Sequence, residues 1–171
     1  MTPAVITGVS EPRTHIPGEG EPSQFLTFMS AREIYAIDTL CVREIIEYGQ
    51  VTHVPMMPRF VRGVINLRGS VVPVIDLRAR FDRGTTQQGN RTCIVILEVL
   101  QEGESQVLGI VVDSVSEVIE IDLADIKPAP VIGNRIREDF IRGMVRVRGE
   151  FLTLLQVDRV LCVSEIAGLL R

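Results

Sequence analysis

Phe60-Val61-Arg62-Gly63-Val64-Ile65-Asn66-Leu67-Arg68-Gly69 returns eighty residues later as Phe140-Ile141-Arg142-Gly143-Met144-Val145-Arg146-Val147-Arg148-Gly149. Aligned without a gap, residues 60–81 and 140–161 share five identities (Phe, Arg, Gly, Arg, Gly), and ten further positions are apolar in both. About one identity is expected by chance at that length. A second echo precedes each copy. Val42-Arg43-Glu44-Ile45-Ile46-Glu47 returns as Val115-Ser116-Glu117-Val118-Ile119-Glu120, 73 residues on. Internal repetition on this scale predicts two similar modules.

The modules read as strands. Gln24–Met29 and Glu33–Ile37 flank Ser30-Ala31-Arg32 as a hairpin, and Asp38 is placed to cap one helical turn before the strand Val42–Glu47. Val61–Leu67 and Val71–Ile75 flank Arg68-Gly69-Ser70, where Gly69 can supply a positive φ. Asp76 is a second cap, before a short helix Leu77–Phe81. After the polar loop Asp82–Asn90 come a hairpin of Thr92–Leu100 with Gln106–Val112, a strand Val115–Glu120, and a hairpin of Val145–Val147 with Phe151–Val157. Apolar spacing over Asp158–Arg171 predicts a terminal amphipathic helix. Five short strands and one short helix per half favour small barrels, and no helix long enough for parallel crossovers separates them.

Composition narrows the function. With 171 residues and 46% hydrophobic residues the chain can bury a core. No apolar run approaches the roughly 18–20 residues of a membrane span. Residues 1–22, rich in Pro and Gly and lacking the pattern of a signal peptide, are expected to be a mobile tail. Cys41, Cys93 and Cys162 lie far apart in apolar stretches, which predicts buried thiols and a cytosolic compartment. No Cys/His spacing suits a metal, no glycine-rich phosphate loop occurs, and His15 and His53 stand alone, so neither a cofactor nor a catalytic residue is assigned. A net charge of −4 and 5% aromatics argue against nucleic acid. What remains is a protein that works by holding other proteins.

The stretches FVRGVINLRGSVVPVIDLRARF (60–81), YAIDTLCVREIIEYGQVTHVP (35–55), LGIVVDSVSEVIEI (108–121), IKPAP (126–130) and FIRGMVRVRGEFLTLLQVDRVL (140–161) together resemble the CheW family of bacterial chemotaxis coupling proteins. The resemblance spans about residues 23–163. It implies a mainly β fold of two five-stranded SH3-like barrels in pseudo-symmetric arrangement, with short helices and a C-terminal helix (158–171). Divided along the chain, the first barrel is expected over about 35–90, and the second over about 91–160 plus a first strand at 23–30.

The resemblance also implies a non-catalytic adaptor, placed at receptor arrays beneath the inner membrane. Its partners would be the cytoplasmic tip of transmembrane, methyl-accepting chemoreceptors and the regulatory domain of a CheA-type histidine kinase. A scaffold for a surface-motility or biofilm pathway is the alternative. Carried onto matching positions, it marks Val42, Glu44, Ile45, Gly63 and Arg68 for receptor binding, and Val64, Ile65, Asn66 and Leu67 more weakly. Gln156 and Thr153 depart from the family pattern in the second copy, where Asp76 and Pro73 stand in the first.

Overall fold

The computed structural model describes residues 22–101, 103–129 and 136–162. Residues 1–21 of the expected tail, and the expected helix beyond residue 162, lie outside them. The strands are β1 (Pro22–Ser30), β2 (Glu33–Asp38), β3 (Val42–Glu47), β4 (Val61–Leu67), β5 (Ser70–Asp76), β6 (Cys93–Gln101), β7 (Glu104–Val112), β8 (Ser114–Asp122), β9 (Ile141–Val147) and β10 (Glu150–Leu155). Single helical turns α1 (Leu77–Arg80) and α2 (Val157–Val160) follow β5 and β10. Val157 thus begins a helix, where the sequence pattern extends the strand.

One sheet runs β3-β6-β7-β5-β4 and forms the first barrel; the other runs β8-β1-β2-β10-β9 and forms the second. The two orders correspond strand for strand, and each holds one parallel pair, β5 with β7 and β10 with β2. Each sheet curls until its ends meet. Thr52 and Val64 exchange backbone hydrogen bonds of 2.8 and 2.9 Å at the first closure, and Lys127 and Met144 exchange bonds of 2.8 and 2.7 Å at the second.

The allocation of strands corrects the sequence-order division. β2 belongs to the second barrel, and β6 and β7 belong to the first. Each half of the chain is a hairpin, a lone strand and a second hairpin, and the two leading hairpins are exchanged. The reason lies in their burial. In β1–β2, Phe25 and Ala36 enter a core private to the second barrel, while Leu26, Phe28, Tyr35 and Ile37 enter a core shared by both. In β6–β7, Ile94, Ile96 and Val111 are private to the first barrel, while Val95, Leu97, Leu108 and Ile110 are shared. Hairpins apolar on both faces must lie between two apolar layers, which places them centrally in their sheets.

The shared core joins the barrels. Phe28, Tyr35, Phe81 and Phe140 form a chain of rings with centroids 6.0, 5.3 and 5.9 Å apart. The Arg80 guanidinium lies over the repeat-related rings of Phe60 and Phe140, at 4.7 and 4.8 Å. Its Nε donates to the carbonyl of Val160, its own repeat counterpart, at 2.7 Å. The predicted caps form: Asp38 accepts from the Leu40 N–H, and Asp76 from those of Arg78 and Ala79. Gln156, at the second copy's cap, makes no such bond.

Candidate functional site: the seam of the first barrel

β3 and β4 are the end strands of the first sheet, so the barrel closes where they face each other. A β-bulge in β3 decides what that seam displays. Val42 opposes Leu97 and Glu44 opposes Ile96, so β3 spends one extra residue between them. Residues two apart on a regular strand share a face; the bulge breaks that rule. Val42 is buried in the shared core with 7% exposure, and Ile45 packs half-buried against it, while Glu44 turns outward. β8 carries the same bulge before Glu117.

Arg68 sits at the tip of the β4–β5 hairpin. Both turn residues have positive φ, 51° at Arg68 and 87° at Gly69, the shape of a two-residue turn that matches strand twist. Glycine adopts this readily; arginine does so at a cost in strain. Asn66 offsets part of it, its side-chain oxygen accepting from the Gly69 N–H at 2.9 Å. The turn aims the Arg68 guanidinium across the seam onto Glu44, with Nη1–Oε2 and Nη2–Oε1 distances of 2.5 and 3.0 Å. The Glu44 carboxyl is held below the ordinary glutamate range, chiefly by these bonds.

The Arg68 side chain is 72% exposed and that of Glu44 28%. Exposed ion pairs contribute little to stability. A fork of two charges held at the surface by a strained turn is better placed to meet a partner than to hold the fold. The repeat places Arg148 against Glu117 at 2.9 Å on the second seam.

The other expected residues divide sharply. Ile65 is buried in the first barrel's private core, and Leu67 packs half-buried against it. Val64 supplies the backbone bonds that close the seam. Gly63 is buried, with a φ of 150°, and a Cβ there would stand 2.1 Å from the Thr52 carbonyl oxygen. It allows close approach of two backbones and presents no surface. Glu44, Arg68 and Asn66 are the expected residues that offer polar groups to solvent.

Sequence reasoning missed Leu40, which is 84% exposed in the turn between β2 and β3. Its signal was an apolar residue inside a capped polar turn, Asp38-Thr39-Leu40. Nearby, a cleft of about 230 Å³ lies between the barrels, lined by Asp38, Cys41, Glu98 and Leu100, the last 71% exposed. The cysteines are half-buried, less than expected. The Cys41 thiol is pushed up to about 12 by burial, which keeps it from acting as a nucleophile near neutral pH. His53 is exposed. Among the described residues, no helix is long and apolar enough to cross a membrane.

Two barrels with exchanged hairpins, a shared core and a charged seam between end strands define a duplicated β-barrel protein. The CheW-like domain model matches residues 24–165, and the chain belongs to that family. It is similar to chemotaxis protein CheW of Klebsiella aerogenes, with 36% identity over 150 residues and 88% of each chain covered. It is also similar to chemotaxis protein CheW of Rhizobium meliloti, with 31% identity over 137 residues, 80% of this chain and 86% of that one. Among solved structures, the scaffolding protein TtCheW of Thermoanaerobacter tengcongensis superposes with a TM-score of 0.74 at 32% identity, covering 88% of this chain and 93% of that one.

Proposed function

We propose that this chain is a non-catalytic cytoplasmic adaptor that couples chemoreceptors to a CheA-type histidine kinase within receptor arrays. Family membership and the chemotaxis and scaffolding names of its relatives support the class of function. The observation that carries the rest is the exposed Glu44–Arg68 fork, with the exposed apolar side chain of Leu40 four residues before Glu44 in the chain. An apolar stripe on the receptor's helical tip docks on Leu40 and the half-buried Ile45. Glu44 and Arg68 exchange part of their mutual pairing for receptor charges, which fixes register more than raw affinity.

The kinase regulatory domain takes a different face. The second barrel offers one: Phe151 is exposed beside a cleft of about 550 Å³ lined by Lys127, Pro128, Met144 and Arg146. Modest single contacts suffice, because an ordered array multiplies them. The adaptor transmits a receptor state only if its contacts differ between the two states.

Reconstitution tests the reading. Kinase, receptor cytoplasmic fragments and this chain are mixed on vesicles. The chain is expected to sediment with both partners, and kinase activity is expected to rise only when it is present. Sedimentation with neither partner, or the same activity without the chain, rules the reading out.

A further inference from the structure

The hydrogen-bonded order of the first sheet leads from β3 to β4 through β6, β7 and β5, so the two seam strands share no ladder. The backbone bonds across the gap belong to Thr52, five residues beyond the end of β3, and not to β3 itself. Side chains supplement that backbone closure in setting how β3 lies against β4. Glu44–Arg68 is the exposed contact at one end. The other end is built very differently.

Arg62 occupies a bulge in β4, between the Val61–Ile75 and Gly63–Val74 pairs, and a bulge re-aims its side chain. Its Nε donates to the Tyr48 hydroxyl at 3.0 Å, and its guanidinium lies 5.2 Å from the centre of that ring. Its Nη1 donates to the Asp76 carboxylate at 2.7 Å and to the Thr86 carbonyl at 2.9 Å. Asp76 has no solvent exposure, and it also accepts from the N–H groups of Arg78, Ala79 and Thr86 and from the Thr86 hydroxyl. A carboxylate so fully satisfied is a rigid anchor. Tyr48, the residue after β3, is held by its backbone too, its N–H donating to the Thr92 carbonyl at 3.1 Å.

The second barrel shows what the fold itself requires. It has the same sheet order, the same bulges and the same exposed Glu–Arg pair. Its Arg142, the counterpart of Arg62, instead lies 3.7 Å from Asp38 and over the ring of Phe25. Its Gln156, the counterpart of Asp76, donates to Asp158. A five-stranded barrel of this kind therefore closes without the buried clamp, and the clamp is confined to the seam whose charged pair is the candidate site.

We propose that Arg62, anchored by Asp76 and bonded to Tyr48, is the positioning residue of this site: it holds β3 against β4 so that Glu44 and Arg68 are presented as one face. The proposal rests on the receptor-binding reading of that face only for its functional consequence. The positioning itself is measurable without a partner.

Tyr48→Phe removes one hydroxyl and keeps the ring, so folding is preserved. Arg62→Lys keeps the charge and loses the fork. In each variant the carboxyls of Glu44 and Glu117 are titrated by NMR, and binding to a receptor cytoplasmic fragment is measured. The midpoint of Glu44 is expected to rise toward that of an ordinary glutamate while that of Glu117 stays in place, and receptor affinity is expected to fall about tenfold. A Glu44 midpoint unchanged in both variants overturns the proposal, as does an equal shift at Glu117, which would mean general loosening. If even Arg68→Glu leaves receptor affinity intact, the receptor reading fails, and the Glu44 titration still decides the clamp.

Discussion

Gly63→Ala is expected to destabilise the protein by about 3–5 kcal/mol, because two independent costs fall on one residue. The first is steric. The new methyl would stand 2.1 Å from the carbonyl oxygen of Thr52, 2.8 Å from its carbon and 2.9 Å from a methyl of Val51. The atoms it meets are mostly backbone, and that backbone is bonded to Val64 in both directions, so it cannot retreat without opening the seam. The second is conformational, since a φ of 150° is a region that side-chain-bearing residues rarely enter. For a domain of this size the melting temperature falls by about 10 °C or more. A melt within about 2 °C of the parent would mean that the seam has slack. Gly143, whose Cβ would lie 2.9 Å from the Lys127 carbonyl, marks the same approach in the second barrel.

Asp76→Ala is expected to cost a similar amount, about 3–5 kcal/mol, for a different reason. The carboxylate is fully buried and serves Arg62, both cap N–H groups of α1, and Thr86. Removing it strands a partly buried guanidinium and orphans several donors, each with its own desolvation penalty. Gln156→Ala makes the comparison, since Gln156 caps nothing and bonds one exposed side chain. That change is expected to stay within about 0.5 kcal/mol. Urea unfolding of the two variants measures the difference directly. Equal losses would contradict the division of labour between the barrels.

Much of the fold was legible because its signals are local. The Arg-Gly turns declare the hairpins, and Asp38 and Asp76 declare the caps. What stayed hidden depends on partners distant in the chain. Chain order places β2 with the first barrel and β6–β7 with the second, whereas their two apolar faces require them between a private and a shared core. The family resemblance puts Val42 on the binding face with Glu44. A bulge between them sends one inward and the other outward, and no residue of Val-Arg-Glu-Ile announces it. Nothing local distinguishes Arg62; only the fold sets it beside Asp76, Tyr48 and Thr86.

The site divides in the same way. The charges could be read from the repeat, since Glu44 and Arg68 return as Glu117 and Arg148. Their meeting could not, because it depends on the sheet curling until its end strands face each other. Leu40 is a lone apolar residue in a turn, which says nothing until its exposure is known.

In the proposed function the Glu44–Arg68 face carries receptor state to the kinase. Receptor-dependent kinase activity, measured in a reconstituted mixture with Glu44→Arg and Arg68→Glu variants of this chain, tests it most directly. Both variants are expected to fold as the parent does, because the pair is exposed and contributes little to stability. Both are expected to bind the kinase and lose receptor-dependent activation. Full activation by both variants would mean that the Glu44–Arg68 face does not carry receptor state.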